Sequence, residues 1–298
     1  GVAGILTTNG SEAAGPDRVV AGVGIVPGLG LVVHVAVLVG PGQSDRAAVD
    51  TALAAQGARP ITSAEYSLTG LVHDGPADGA TLEDDQVAVV YNGSNMPSFT
   101  PGFDMQALVN ASVAPWNAVS QSALVFSDGG STSNACPSLL KECPGRQVLN
   151  GANEVAFWAL KSNTTLAVTW SHSGADEFDI AFNTNFSWVD NATDVTGNGE
   201  FDVVTVGIHE FGHGAGIGHS TADGDPVMEA VYDGGRRGLA DDDSDALNAL
   251  YGGGATADPT PDPTETPAPT PTPEPGVADT LTLGDLGGPY GKRDRVII

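Results

Sequence analysis

The sequence predicts an α+β fold, because strand-like and helical hydrophobic patterns follow one another along the chain. Apolar runs bounded by turn-forming residues predict β-strands at Leu31–Val39 and at residues 86–91, 154–160, 165–170 and 177–182. Helical spacing predicts a helix over residues 104–119, whose apolar positions are Met105, Leu108, Val109, Val113 and Trp116. Two more helices are predicted over residues 201–213 and 241–251, and the second ends at a run of glycines.

Changes in composition divide the chain into four segments. Residues 1–60 are rich in Gly, Ala and Val and form either a small α/β segment, with a helix over residues 45–56, or a propeptide of unknown role. Residues 61–254 form the main domain. Residues 255–276 form a Pro/Thr-rich linker, because 8 of the 17 residues from Pro259 to Pro275 are proline. Residues 277–298 are expected to start a truncated C-terminal module that binds a surface or polymer.

The charge of the chain is strongly acidic, with 37 Asp and Glu against 11 Lys and Arg and a net charge of -26. Binding to nucleic acid requires clustered Lys and Arg, so this composition argues against a nucleic-acid partner and against an anionic membrane surface. The apolar run at residues 29–40 is too short to span a bilayer. These properties favour a well-solvated, secreted protein.

The chemistry is indicated by one motif, His209-Glu210-x-x-His213-x-x-Gly216-x-x-His219. Residues four apart share a helix face, so His209 and His213 can bind one metal ion. Gly216 allows the chain to end the helix and turn, which returns His219 to the same ion. Three neutral imidazoles with one open position are typical of a catalytic zinc site, and Glu210 places a carboxylate beside the metal.

This pattern is the extended signature of the metzincins, and the chain resembles their matrixin branch, which contains the matrix metalloproteinases. The resemblance covers about residues 86–252 and is strongest over residues 201–252. Its further matches are Ser220 after the third histidine, Met228 at the place of the Met-turn, Tyr232 four residues later, and Asp242-Asp243 at the start of the last helix.

The resemblance implies a zincin-like catalytic domain with a twisted mixed sheet, an active-site helix and a C-terminal helix. It implies a secreted endopeptidase with one catalytic zinc ion on the three histidines, whose bound water is activated by Glu210. Met228 is implied to form a hydrophobic base under the zinc, and Tyr232 to line the S1′ pocket. The expected partners are protein or peptide substrates, which bind as an added strand along the edge of the sheet.

The two cysteines, Cys136 and Cys143, are predicted to form a local disulfide in an exported protein. No segment of the sequence resembles the cysteine switch that keeps many matrixins latent, so we do not expect these residues to control latency. Between the strand at residues 177–182 and the helix at residues 201–213 there is no histidine. A second, structural zinc ion is therefore not expected.

Other candidate ligands are weaker. The segment starting at Asp194 resembles the first half of a calcium loop, but Thr205 occupies the twelfth position, where such loops carry Glu. Calcium is thus weakly supported, and a plain turn before a helix is the other interpretation. His34, His73 and His172 stand alone in the sequence, and we expect each in the core or on the surface rather than on a metal.

Two alternatives to the endopeptidase remain open at this stage. One is an extracellular binding or adhesion protein that contains zinc and has little or no peptidase activity. The other is a zinc hydrolase that acts on something other than peptides. The presence of Glu210 favours an enzyme over a binding protein, since a purely structural zinc site has no use for that carboxylate.

Overall fold

The computed structural model describes residues 18–29, 31–40, 42–60, 86–145, 147–172, 177–194, 199–220 and 224–252. The predicted Pro/Thr-rich linker and the C-terminal module lie outside the described residues, as does His73. No helix of the described ranges is long and apolar enough to cross a membrane.

Strands and helices alternate through the described residues. The helices are α1 (Asp45–Ala55), α2 (Met105–Asn117), α3 (Val203–Gly214) and α4 (Asp241–Tyr251). The first six strands are β1 (Arg18–Val26), β2 (Leu31–Val39), β3 (Arg59–Pro60), β4 (Gln86–Asn92), β5 (Val125–Ser131) and β6 (Asn153–Trp158). The others are β7 (Thr165–His172), β8 (Phe178–Asn183), β9 (Ser187–Val189), β10 (Glu200–Asp202) and β11 (Val231–Tyr232).

One mixed sheet organises the fold, in the strand order β11-β1-β2-β7-β8-β6-β4-β5, with β3 added beside β1. The three pairs β5–β4, β4–β6 and β6–β8 are parallel. From β8 onwards β7, β2, β1 and β11 pair antiparallel. A separate parallel pair joins β9 and β10 ahead of α3. The α+β class is therefore confirmed, with a parallel half and an antiparallel half in the same sheet.

The sheet is covered on both faces. Helices α2 and α3 pack on one face, where the core includes Trp116, Phe178 and Phe211. Helix α1 packs on the other face through Val49 and Leu53. Strand β2 is buried on both sides, because its alternate residues point into the two cores. Burial of this kind explains why its sequence is an almost continuous apolar run.

The N-terminal strands belong to this sheet. Strand β2 pairs along β7 from Leu31, opposite His172, to Val37, opposite Thr165. Strand β1 pairs with β2 over its whole length and also with β11. The segment boundary predicted at residue 60 thus lies between two strands, β3 and β4, of a single sheet.

Strand β1 was not predicted from the sequence, because Gly22 and Gly24 interrupt its apolar pattern. Both glycines lie where α1 crosses the sheet closely. A Cβ atom on Gly22 would lie 2.1 Å from a methyl carbon of Val49, and one on Gly24 would lie 2.7 Å from the carbonyl oxygen of Arg59 on β3 and 2.9 Å from a methyl carbon of Leu53. The close packing of α1 on Gly22, and of α1 and β3 on Gly24, therefore requires glycine at these positions.

The loop between β5 and β6 is fixed by the Cys136–Cys143 disulfide and by three buried carboxylates that we call the carboxylate cluster: Glu154, Glu177 and Asp179. Glu154 accepts hydrogen bonds from the Asn134 side chain (2.7 Å) and the Ser138 backbone N–H (2.8 Å). Backbone N–H groups of Leu139, Asn150 and Gly151 donate to Asp179 and Glu177. The cluster anchors this loop to β6 and β8.

Candidate metal centre

Helix α3 carries the first two histidines of the motif. It begins after Asp202, whose side chain accepts a hydrogen bond from the Thr205 backbone N–H at 3.0 Å and so caps the helix. Arg237 forms an ion pair with Asp202, which is fully buried, and with Asp190 at 2.7 Å. All residues of α3 are buried, so the imidazoles of His209 and His213 face the protein interior.

The helix ends where the sequence predicts a turn. Gly216 has a φ of 85°, a conformation that glycine adopts without strain. The Gly216 N–H donates to the His213 carbonyl, and the Ile217 N–H donates to the Gly212 carbonyl, both at 2.9 Å. This cap reverses the chain and returns His219 towards the helix.

The three imidazoles converge on one point. The Nε2 atom of His213 lies 3.0 Å from that of His209 and 3.1 Å from that of His219. Such spacing suits nitrogens that share a zinc ion at about 2.0–2.1 Å each. The structure therefore brings together the three ligands that the sequence predicts.

In two of the histidines, a contact at the outer nitrogen, Nδ1, determines which ring nitrogen carries the proton. Nδ1 of His209 lies 2.8 Å from the Val227 carbonyl oxygen, and Nδ1 of His213 lies 2.8 Å from the Ile217 carbonyl oxygen. Because a carbonyl can only accept, each Nδ1 must carry the proton, and each Nε2 then presents its lone pair to the centre. This donor set fits a zinc ion, which prefers neutral imidazole held by such backbone contacts.

Burial keeps these rings neutral. Desolvation lowers the pKa of His209, and it lowers the pKa values of His213 and His219 well below the usual range. Neighbouring imidazoles add to the effect for His213 and His219. Neutral rings are the form that binds metal.

Glu210, next to His209 in the sequence, is buried with 1% of its surface exposed. We call His209, His213 and His219 together the triad. The hydroxyl of Thr169 on β7 donates a hydrogen bond to one of its carboxylate oxygens. Burial raises the pKa of Glu210 to about 8, although the Thr169 bond opposes this shift. Thr169 was not singled out from the sequence, since nothing local links a threonine on β7 to the motif.

Met228 packs against α3 at Gly212. A Cβ atom on Gly212 would lie 2.3 Å from the Met228 sulfur, so glycine lets the turn approach the helix. Asp243 holds this turn, because its carboxylate accepts hydrogen bonds from the backbone N–H groups of Val227 (2.9 Å) and Met228 (3.1 Å). Since the Val227 carbonyl contacts His209, the buried Asp243 indirectly positions this histidine.

Tyr232 lies on β11 and lines an apolar pocket next to His209. Its hydroxyl donates to Asp194 at 2.7 Å and accepts from the Asp202 backbone N–H at 2.9 Å. Burial and the Asp194 contact raise its pKa. Asp194, the first residue of the calcium-like segment, thus contacts a tyrosine, while residues 195–198 of that segment lie outside the described residues.

His34 lies against the three histidines, although it stands alone in the sequence. It is buried, as expected for a core residue, with 3% of its surface exposed. Its ring stacks on that of His213, with centroids 3.8 Å apart, and burial lowers its pKa to about 3. The available sequence signal was a single polar residue inside the apolar run of β2.

Comparisons with known proteins point to one family. The model of the matrixin family of peptidases matches residues 155–252. Matrix metalloproteinase-25 of Mus musculus is 37% identical over 79 residues, and that of Homo sapiens is 35% identical over 79 residues. Each match covers 25% of this chain and only 12% or 13% of the relative. The chain thus spans about an eighth of the length of these relatives.

The matched residues contain the histidine motif, the turn at Met228 and the final helix α4. Family comparison and geometry therefore agree on the same part of the molecule. The chain contains a matrixin-like metalloprotease domain.

Proposed function

We propose that the chain is a secreted, zinc-dependent endopeptidase that uses Glu210 as its general base. The observation that carries this proposal is the convergence of three Nε2 atoms, from His209, His213 and His219, beside a buried carboxylate. These histidines would hold one zinc ion. When bound there, zinc would act as a Lewis acid that polarises the scissile carbonyl and lowers the pKa of its bound water.

Glu210 moves the protons of the reaction. Its carboxylate accepts a proton from the water that attacks the scissile carbonyl carbon, and the same proton then passes to the amine nitrogen as the C–N bond breaks. One water is consumed, and one carboxylate and one amine are formed. The Thr169 hydroxyl keeps the Glu210 side chain in one orientation through its hydrogen bond. A positioned base of this kind contributes about 10²–10⁴-fold in rate.

The pocket beside His209 supports peptide substrates. Its lining includes Leu166, Val206, Val227 and Tyr232, which suits an apolar side chain of a peptide. The net charge of -26 argues against a nucleic-acid substrate. Tyr232 is expected to form a wall of this pocket and so to influence which side chain is accepted.

The location outside the cell is supported by the Cys136–Cys143 disulfide, because disulfides persist in oxidising compartments. The Pro/Thr-rich segment from residue 255 to residue 276 is proposed as a linker. The residues after it are proposed to begin a module that binds a surface or polymer. Calcium at the segment starting at Asp194 remains a weaker expectation.

The test is cleavage of a peptide library by the full purified chain. The chain is assayed untreated and after brief digestion with a Glu-specific serine protease, for which Glu65 and Glu83 offer cleavage sites between β3 and β4, and the digestion is stopped with a covalent serine-protease inhibitor. A zinc chelator should abolish cleavage, and added zinc should restore it. Glu210→Ala, taken through the same digestion, controls for residual serine protease and should be inactive. Equal cleavage by this variant, or no cleavage by either preparation of the wild type, would contradict the proposal.

A further inference from the structure

The sheet edge beside the metal centre is occupied by the chain itself. Strand β2 pairs antiparallel with β7, and His34 lies directly opposite Thr169. Thr169 in turn donates a hydrogen bond to Glu210. An extended peptide that added itself to β7 next to the triad would therefore need the place that β2 already takes. We call β1 and β2 together the N-terminal hairpin.

His34 points from this hairpin to the metal centre. Its ring stacks on His213 at an interplanar angle of 23° and meets His219 edge-on, with centroids 6.0 Å apart. One candidate ligand nitrogen from each of His34, His213 and His219 lies within 4.8 Å of the others. The Nδ1 atom of His34 is buried and has no hydrogen-bond partner among the described residues. Burial of an unpaired imidazole nitrogen is unfavourable unless something else binds it.

We propose that His34 is a fourth protein ligand of the zinc centre and that the N-terminal hairpin thereby holds the site in a latent form. This rests on the proposed function. Nitrogens that share a tetrahedral zinc lie about 3.3 Å apart, so the His34 nitrogen must approach those of His213 and His219 by about 1.5 Å at most. The His34 ring must also turn out of its stack on His213, so that its in-plane lone pair meets the ion. A zinc ion with four protein ligands has no open position for water or substrate.

The hairpin also covers the substrate pocket. Val19, Ala21 and Ala36 of the hairpin line the pocket that contains Tyr232, and β1 pairs with β11 through Val19 opposite Tyr232. The fourth ligand position, the edge of β7 and one wall of the pocket are thus occupied by the same pair of strands. Removal of the hairpin would open all three together.

Neither cysteine of this sequence fills this role. The chain has only two cysteines, and both are in the Cys136–Cys143 disulfide. The N-terminal hairpin instead brings a histidine to the metal, on a strand that is buried on both faces. Neutral imidazole is a good zinc ligand, so it can close the site without a thiolate.

The first test measures access to the fourth position. Zinc is replaced by cobalt in the full chain, and acetohydroxamate is titrated while the visible absorption of cobalt is followed. In the wild type this ligand must displace His34. We expect His34→Ala to bind it at least about tenfold more tightly, and His34→Gln to behave in the same way if the alanine variant folds poorly. Equal binding by the wild type and both variants would overturn the proposal.

The matched control is His172→Ala. His172 is on β7, and strand alternation places it on the face of the sheet opposite to Thr169 and the triad. This variant should bind acetohydroxamate as the wild type does. A tenfold gain in acetohydroxamate affinity in the control would mean that any loosening of these strands opens the metal to the ligand. Such a result would contradict a specific role of His34.

The second test counts imidazoles on zinc by X-ray absorption in the full chain. We expect four in the wild type and in His172→Ala, and three in His34→Ala. Three in the wild type would overturn the assignment even if peptides are cleaved. Four in the wild type, with no cleavage before or after digestion with the Glu-specific protease, would instead contradict the endopeptidase and leave His34 as a ligand of a closed zinc site. For latency, cleavage after Glu65 or Glu83 should raise wild-type turnover at least about tenfold, and full activity of the untreated chain would contradict the latent form.

Discussion

The metal centre and the carboxylate cluster are both buried groups of titratable side chains, yet their contacts differ. In the carboxylate cluster, the oxygens of Glu154, Glu177 and Asp179 receive N–H donors from one loop. In the candidate metal centre, the outer nitrogens of His209 and His213 are bonded to backbone carbonyls and the inner nitrogens face one another. A cluster capped by protein donors serves the fold, whereas one whose lone pairs converge is suited to a cation.

The largest expected effect distinguishes the proposed catalytic base from the proposed zinc ligands. Glu210→Ala should lower peptide turnover by about 10²–10⁴-fold, because it removes a positioned base, while zinc content stays near one per molecule. His213→Ala should instead lower zinc affinity, since it removes a ligand. Elemental analysis and turnover after digestion with the Glu-specific protease check both variants. Turnover above about a tenth of wild type in Glu210→Ala would contradict the mechanism, and two zinc ions per wild-type molecule would contradict the single site.

The next effect concerns the loop held by the carboxylate cluster. Replacement of Cys136 and Cys143 by serine should lower the free energy of unfolding by about 2–3 kcal/mol, because the disulfide restricts the unfolded chain. Zinc content should not change, since neither cysteine lies at the metal centre. Denaturant unfolding and elemental analysis measure the two quantities. A loss of zinc with unchanged stability would reverse the roles assigned to the two regions.

A comparable or smaller effect is expected from Glu177→Ala. This change leaves the backbone N–H groups of Asn150 and Gly151 without their acceptor, which costs about 1–3 kcal/mol of stability. Asp245→Ala, at an exposed position on α4, is the matched control and should change stability by less than about 0.5 kcal/mol. Zinc content should match the wild type in both variants. Weaker zinc binding in Glu177→Ala alone would show that the two clusters are coupled.

The last effect is a dependence of stability on pH, which is the smallest of the four when expressed per pH unit. Burial, helped by the nearby Glu154 and Glu177, raises the pKa of Asp179 from 3.8 to about 7, despite two backbone hydrogen bonds that oppose it. Between about pH 4 and pH 7 the folded state therefore binds a proton that the unfolded state lacks. The resulting stabilisation is complete below about pH 4 and is lost as the pH rises through about 7. The slope is at most about 1.4 kcal/mol per pH unit.

Asp179→Asn cannot ionise, so its free energy of unfolding should lack this decrease. The difference between the wild type and the variant, measured by denaturant unfolding from pH 5 to pH 8, removes the contribution of other groups. A constant difference over that range would contradict the raised pKa.

Local patterns predicted the elements that carry the chemistry. The helix with His209 and His213, the turn at Gly216 and the last helix were all visible in the sequence, because each depends on residues close together along the chain. The strand Leu31–Val39 was predicted with its observed bounds. Its partner in the sheet was not, because pairing between strands far apart leaves no local signal.

The same limit explains what was missed at the site. His34, Thr169 and Asp243 reach the metal centre from β2, β7 and α4, and only tertiary structure brings them there. Strand β1 was hidden because the packing of α1 demands glycine inside a strand. Sequence spacing thus predicts candidate ligands that lie close together along the chain, whereas the residues that support them can be found only from the fold.

The pairing of β2 with β7 has a consequence for biosynthesis. Strand β2 leaves the ribosome about 130 residues before β7 does, and its nine residues carry no charge. An uncharged, β-branched segment that waits for a distant partner is prone to associate with other chains. Strand β1 is its immediate neighbour in sequence and can pair with it at once. The early hairpin therefore shields a segment that would otherwise aggregate during synthesis.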